Sequence, residues 1–408
     1  MNGLRRLANR TLTALLVGIA LPWLTALALI ERVRTWVRRR RGIRPRLIWG
    51  PVPVISLKYW SEAMRRAGYT SLTCVTGAYA INEREDFDIH LDQFGGGGGL
   101  SVLFRDYRFF AWTLRRGDVF IRFFDGGFLR STPLRWLEGP LTRLAEKRVI
   151  VSPYGSDIAV AGHLGELEGP LFADYPVLRD EAQTIKRRVD YWLRWADLVI
   201  RNWQFGYQPR CDVVWLTQLA IDVDHWTVDG DPGRTEARET TEVSVLHAPN
   251  HRHVKGSVYL ERAIDALRQE GLPVRLELLE RRPNEEIRRA MAECDIVADQ
   301  FLAGYAMFAI EGMAMGKPVL ANLDSIPDEL RDTEAMRACP IVDTDPDRLR
   351  DDLRSLVVDE TRRAELGRAG REFVMRYHSY DAVGAVWEAI FAHVWQGASL
   401  PECLQPRG

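Results

Sequence analysis

From Arg44 onward the sequence alternates short apolar runs with longer segments whose apolar residues recur at helical spacing. That alternation is the tightest constraint on the fold. A strand, a helix and a second strand return the chain in parallel to the same sheet, and the helices must cover the sheet faces. An α/β fold with parallel strands is therefore expected. "RLIWG" opens it, "ISLKYWSEAMRRAG" (55–68) is an amphipathic helix stopped by Gly68, and "SLTCVTG" is the next strand. Further strands are expected at "DVFIRFF" (118–124), "RVIVSPYG" (148–155) and "DLVIRN" (197–202), with a long helix over 179–196. The stretch "TVDGDPGRTEARETTE" (227–242) has no periodicity and is rich in charge, Thr and Gly, which suits a linker. A second series follows: strands at "VSVLHAP", "VRLELLE", "DIVADQ" and "KPVLAN", helices at "VYLERAIDALRQEG", "NEEIRRAMAEC" and "MFAIEGMAMG". A chain of 408 residues has room for two such domains, and their ligand belongs in the cleft, beside the C-terminal ends of the strands.

Charge is uneven. Residues 1–50 hold eleven Arg and one acid, Glu31, so a segment of +10 precedes a remainder of −11 in a chain whose net charge is −1. Within it, "TLTALLVGIALPWLTALALI" (11–30) has no charged residue and is long enough to span a bilayer as a helix. Four readings stay open. A signal peptide fits Ala26-Leu27-Ala28, although Arg32, Arg34 and Arg38 to Arg41 oppose export. A hairpin would use Pro22 as its breaking point, a spanning helix would not turn back, and a buried core helix needs no membrane. The hairpin and the span place the Arg cluster, and therefore the rest of the chain, on the cytoplasmic side of a membrane, with Trp36 at headgroup level. A membrane partner is expected and a nucleic-acid partner is not. The five cysteines are scattered and form no CxxC, which suits reduced structural thiols. "GGGGG" (95–99) lacks the strand-and-helix context of a phosphate loop and is read as a linker or lid.

Four stretches carry chemistry. "HAPNHRHVKGS" (247–257) leaves a strand and gathers His247, Asn250, His251, Arg252, His253 and Lys255 at the cleft. An Arg fork and a Lys point charge there suit a diphosphate, and the alternative is a solvated basic loop. No nearby Cys or acid completes a zinc site for the histidines, so no metal is expected. In "DQFLAGYAMFAIEGMAMGKPV" (299–319), Glu311 sits on a helix apolar nearly all round, so its carboxylate is buried and needs either a sugar diol or an internal salt bridge. "WGPVPVIS" (49–56) has one glycine, Gly50, where a dinucleotide fingerprint wants three, with Pro51 stiffening the turn and Ser56 placed to cap the helix. "PYGSDI" (153–158) offers Ser156 and Asp157 either as caps or as acceptors for a sugar hydroxyl.

The order of these stretches resembles a GT-B glycosyltransferase of the family 4 type (glycosyl transferases group 1). The resemblance rests on "GPVP", "YGSD", "NHRHVKG", "AIEGMAMGKPV" and the tail "GRAGREFVMRYHSYDAVGAVWEAIF" (367–391), and covers roughly residues 44 to 395. It implies two Rossmann-like domains facing across a cleft, a nucleotide-sugar donor held by the second, transfer with retention, and no bound metal or other cofactor. Together with the N-terminal reading, on which the resemblance says nothing, the chain divides into a membrane anchor (1–43), a first domain (44–228), a linker (229–242), a second domain (243–376), a closing helix returning to the first domain (377–396) and a tail (397–408). Lys255 matches the family's diphosphate lysine and Glu311 its ribose-binding glutamate. Arg252 is the substitute for a partner basic residue whose place Asn250 occupies, and helix-start amides near Gly304 and Tyr305 join them. The first of two family glutamates falls at Ala303 and its following glycine at Ala306, so Asp299 and Gln300 are the nearest polar candidates for the donor sugar. The acceptor, a glycan or lipid-linked precursor, would approach near Gly50, Pro51 and Asp157. Two other classes remain: a nucleotide-sugar epimerase of the same fold, and a non-catalytic membrane-tethered binding protein.

Overall fold

The structure, a computed structural model of the chain, describes residues 2–77, 79, 82–96, 100–227 and 242–406. The linker expected at 229–242 lies outside the described residues up to 241, as do 97–99 of the glycine run. The described chain forms two sheets. The first holds β1 (Leu47–Trp49), β2 (Ser71–Val75), β3 (Ile89–His90), β4 (Val119–Arg122), β5 (Arg148–Val151), β6 (Leu198–Arg201) and β7 (Val213–Val214), in the order β3-β2-β1-β4-β5-β6-β7. The second holds β8 (Val243–His247), β9 (Val274–Leu278), β10 (Ile296–Ala298), β11 (Val319–Ala321) and β12 (Val342–Asp343), in the order β12-β11-β10-β8-β9. All strand pairings are parallel, so the α/β expectation holds. The strand order reverses direction between β1 and β4 and again between β8 and β10. Such switch points leave a crevice at the strand C-termini, where ligands of open α/β sheets sit.

The observed strands are shorter than the apolar runs that announce them. "DVFIRFF" pairs only over Val119–Arg122, because Phe123 and Phe124 leave the ladder to pack as fully buried side chains. Successive residues of the central strands serve opposite faces of the first sheet. Leu47, Trp49, Val119 and Ile121 pack with Trp60, Trp387 and Phe391, whereas Ile48 and Phe120 pack with Phe109, Phe110 and Leu141. The first of these clusters joins distant parts of the chain. Trp387, on the Tyr380–Phe391 helix, sits 5.1 Å from Trp49, 5.5 Å from Trp60 and 5.3 Å from Trp215, ring centroid to centroid. The chain thus finishes the second lobe and returns to cover the first. Leu404, in the tail, is buried in the same cluster.

Residues Asn2–Arg40 form one helix with Pro22 inside it. The hairpin alternative is thereby corrected: the backbone ladder continues past the proline and the segment does not turn back. Ala20, Leu24, Ala28, Glu31 and Thr35, three or four residues apart, make a fully buried stripe on this helix. It docks on the Arg105–Arg116 and Glu138–Leu144 helices. Glu31 closes the contact: Arg34 donates to it at 2.7 Å and Lys147 at 3.4 Å, and Lys147 also reaches Asp118 at 3.3 Å. Asp118 in turn accepts from Arg38 and Arg46, each at 3.0 Å. The buried lysine is paired with two carboxylates, as a buried ion requires, and they oppose the burial that lowers its pKa. The opposite face leaves Leu15, Ile19, Trp23, Ile30, Val33 and Trp36 exposed.

Candidate active site

The site begins where β8 ends. His247 is buried, with Nδ1 against the Ala298 carbonyl at 2.7 Å and Nε2 against Ser257 Oγ at 2.8 Å. Burial pushes its pKa down to about 4, so it is a neutral structural residue that ties β8 to β10 and to the next helix. After it the chain makes one helical turn, Arg252–Lys255, and Gly256 at φ +71° swings it into the Ser257–Gln269 helix. Lys255 Nζ donates to Asp299 Oδ1 at 2.5 Å. Asp299 follows β10 and is fully buried, and its other oxygen accepts from the amide of Ala306 at 2.7 Å. Ala306 is the residue before the Met307–Ala314 helix. One carboxylate therefore fastens the lysine of one switch-point loop to the helix start of the other.

Glu311 lies on that helix, 7% exposed. Burial, and then the Asp299 charge, push its pKa up to about 8, with Lys255 opposing. No donor among the described residues hydrogen-bonds its carboxyl. Across the crevice, Tyr59 of the Ser56–Arg66 helix in the first lobe is close enough for Glu311 to help raise its phenol pKa, after the larger effect of burial. Lys255, Asp299 and Glu311 thus share one electrostatic environment that opens toward the first lobe.

The lobes also touch on either side of this trio. His253 Nδ1 and the Val254 amide meet Asp174 at 2.7 and 2.9 Å, and His251 pairs with the Tyr175 hydroxyl. Gly304 stands at φ +44° with Trp203 so close that a Cβ would lie 2.9 Å from the indole. A side chain there would be strained twice, by backbone and by contact. No sequence pattern points to Asp174, Tyr175 or Trp203. They belong to loops and helix ends far along the chain from their partners, and no periodicity reports a contact between lobes.

Other expected site residues are placed differently. Arg252 turns from the crevice to Glu261 at 2.6 Å and Glu280 at 3.4 Å, because those carboxylates flank it on its own lobe. Tyr305 is 1% exposed and its hydroxyl meets His378 Nε2 at 3.3 Å, so its side chain belongs to the core. Gln300 folds back on the Ala303 carbonyl, while Asn250 is exposed at the loop tip. Gly304 spends its amide on Ser325 Oγ at 2.7 Å. Asp157 takes three backbone amides, of Phe124 and Tyr154 at 3.0 Å and Gly155 at 2.9 Å, so of its two alternatives the loop-capping one is realised. Burial and the Asp125 charge push its pKa up to about 7. Gly50 is required by close approach: a Cβ would fall 1.9 Å from the Cys74 carbonyl oxygen. Pro51 accepts the Thr76 amide at 3.0 Å, and Ser56 makes no cap, since Ile55 occupies that position.

No protein-family model matches the sequence, and no curated protein matches it. Solved structures do. A sucrose-phosphate synthase from Thermosynechococcus elongatus superposes with TM-score 0.56 at 15% identity, over 87% of this chain and 100% of its own. HepE of Anabaena in complex with UDP gives 0.55 at 14%, over 85% and 99%. A glycosyltransferase from Rickettsia africae gives 0.51 at 12%, over 86% and 99%. The chain has the GT-B fold that these proteins share.

Proposed function

We propose that this GT-B chain is a glycosyltransferase that moves a sugar from a nucleotide-sugar donor to a glycan or lipid-linked acceptor at a membrane surface, with retention and without a bound metal. The observation that carries this is the joined trio of Lys255, Asp299 and Glu311 at the β8/β10 switch point. Asp299 takes one of the three ammonium N–H donors of Lys255 and leaves two for a diphosphate. Negative charge grows on that diphosphate as the bond to the sugar breaks. A fixed cation aimed there stabilises the transition state more than the ground state, an effect worth on the order of 10²–10³ in rate for a single donor. Glu311 is a buried acceptor in want of donors, and a ribose diol supplies two, which fixes the nucleotide's angle. The Anabaena HepE complexes with UDP and with UDP-glucose support a donor of this class.

The N-terminal helix supports the membrane. Its window of highest mean hydropathy reaches 2.2, and the face opposite the docked stripe is apolar from Leu15 to Trp36. With its Arg-rich end beyond, it would hold the first lobe against the cytoplasmic leaflet, apolar face in the lipid. A second reading, a tethered binding protein without turnover, is favoured by Ala303, which is 4% exposed beneath the loop and offers no carboxylate to the donor sugar.

Lys255→Ala separates these readings. Transfer from the preferred nucleotide sugar should fall at least about 100-fold. The same change strands Asp299 without its cation and should cost about 3 kcal/mol or more in denaturant melts. The double variant Lys255→Ala/Asp299→Asn should recover the stability and none of the rate. Wild-type rates in the stable double variant would remove the mechanism, and nucleotide-sugar binding with no turnover in the wild type would favour the binding protein.

A further inference from the structure

The first lobe holds a second cavity, of about 530 Å³, between the loop after β4 and the Val177–Trp195 helix. Four arginines line it, Arg130, Arg135, Arg187 and Arg188, against one carboxylate, Asp125. Asp125 is taken: Arg188 pairs with it at 2.9 Å, and the Tyr154 hydroxyl donates to it at 2.5 Å. Among the described residues, Arg130, Arg135 and Arg187 have no ion-pair partner. Like charges lining one cavity repel one another, and an anion that enters relieves that repulsion. Arginine forks match phosphate oxygens better than any other side chain does. The loop that carries Arg130 is firmly held, since Glu138 accepts the amides of Phe128 and Leu129 at 3.0 and 2.8 Å and the buried Arg122 at 2.5 Å. Trp136, 43% exposed, and Tyr191 form an aromatic wall, ring centroids 5.0 Å apart.

The volume falls within the roughly 300–1,000 Å³ of small-molecule sites and exceeds what one phosphate fills. The position is equally telling. Through Asp125 the cavity adjoins Tyr154 and Asp157 at the end of β5, on the acceptor side of the crevice. The Glu138–Leu144 helix contacts the Val177–Trp195 helix and also the docked N-terminal helix, so one helix separates the cavity from the membrane-facing segment. We infer that the arginine cavity binds the phosphate or diphosphate group of the acceptor, with the aromatic wall against the group attached to it. Its use in transfer rests on the glycosyltransferase reading above; its anion chemistry does not.

The test is calorimetric titration of the full chain in detergent with farnesyl diphosphate and with inorganic pyrophosphate. A Lys255→Ala/Asp299→Asn background keeps the donor crevice from competing. Arg130→Ala/Arg187→Ala in that background should weaken farnesyl diphosphate at least tenfold, and both arginines are exposed, so the melting temperature should hold. Pyrophosphate binding tenfold weaker than the farnesyl ester assigns a lipid-linked anion, and equal binding assigns the anion alone. Undiminished binding in the arginine variant overturns the inference. With Lys255 and Asp299 intact, Arg130→Ala/Arg187→Ala should bind the nucleotide sugar as the wild type does. A wild-type chain that binds farnesyl diphosphate and no nucleotide sugar sinks the donor reading and leaves the cavity's role standing.

Discussion

Glu311 shows how one side chain ties burial to binding. Its pKa is about 8 in the fold against 4.5 as the ordinary value. The folded state therefore holds a proton that the unfolded chain has released at neutral pH. Stability from this group is fully present below about pH 4.5 and is lost as pH rises toward 8. Glu311→Gln removes the titration, so its melting temperature should gain on the wild type across that window and stay level above it. A gap that does not change with pH would contradict the assignment. Nucleotide binding runs the other way. A diol donating to Glu311 favours the carboxylate, so affinity should rise with pH up to about 8 in the wild type and stay flat in the variant. Lys255 and Glu311 were legible in the sequence because each stands in a distinctive local setting: a basic loop after a strand, and a lone acid in an apolar helix. Arg252 was not. Its sequence neighbours advertise a phosphate loop, but Glu261 and Glu280, brought beside it only by folding, take its guanidinium.

At the scale of elements, periodicity found most strands and the helices at Ser56–Arg66, Val177–Trp195, Ser257–Gln269 and Asn284–Glu293, but not those at Arg105–Arg116 and Leu349–Val358. The strands β3, β7 and β12 escaped, being two residues each, too short to carry a period. The N-terminal helix is the instructive case. Twenty uncharged residues announce a membrane segment, but composition cannot reveal that one stripe of it is already spoken for by protein. Ala20 and Leu24 look no different in sequence from Ile19 and Trp23, yet the first pair is fully buried and the second exposed. The two halves of the helix should therefore separate experimentally. Deleting residues 2–16 removes exposed apolar surface at Leu15 and keeps Val17 and the stripe from Ala20 to Thr35. The truncated chain should fold with its melting temperature unchanged and sediment less with anionic phosphatidylglycerol vesicles. Unchanged sedimentation would place the membrane contact elsewhere.

For the whole molecule, each lobe has its own switch point, and the return helix carrying Trp387 binds the end of the chain to the beginning. His253 with Asp174, and Gly304 with Trp203, bring the lobes together around Lys255 and Glu311. No single-sequence pattern encodes that apposition, which is why the crevice was expected from fold and the contacts of Asp174 and Trp203 across it were not. The proposed chemistry needs both lobes: a diphosphate and ribose held by the second, and an anionic acceptor presented by the first. The most direct measurement is calorimetric titration of the tightest-binding donor among UDP-, GDP- and ADP-hexoses into the wild type, Lys255→Ala/Asp299→Asn and Glu311→Ala. One donor per wild-type chain, with affinity at least tenfold weaker in both variants, is the expected result; equal affinity in all three chains would contradict a donor site built on Lys255 and Glu311.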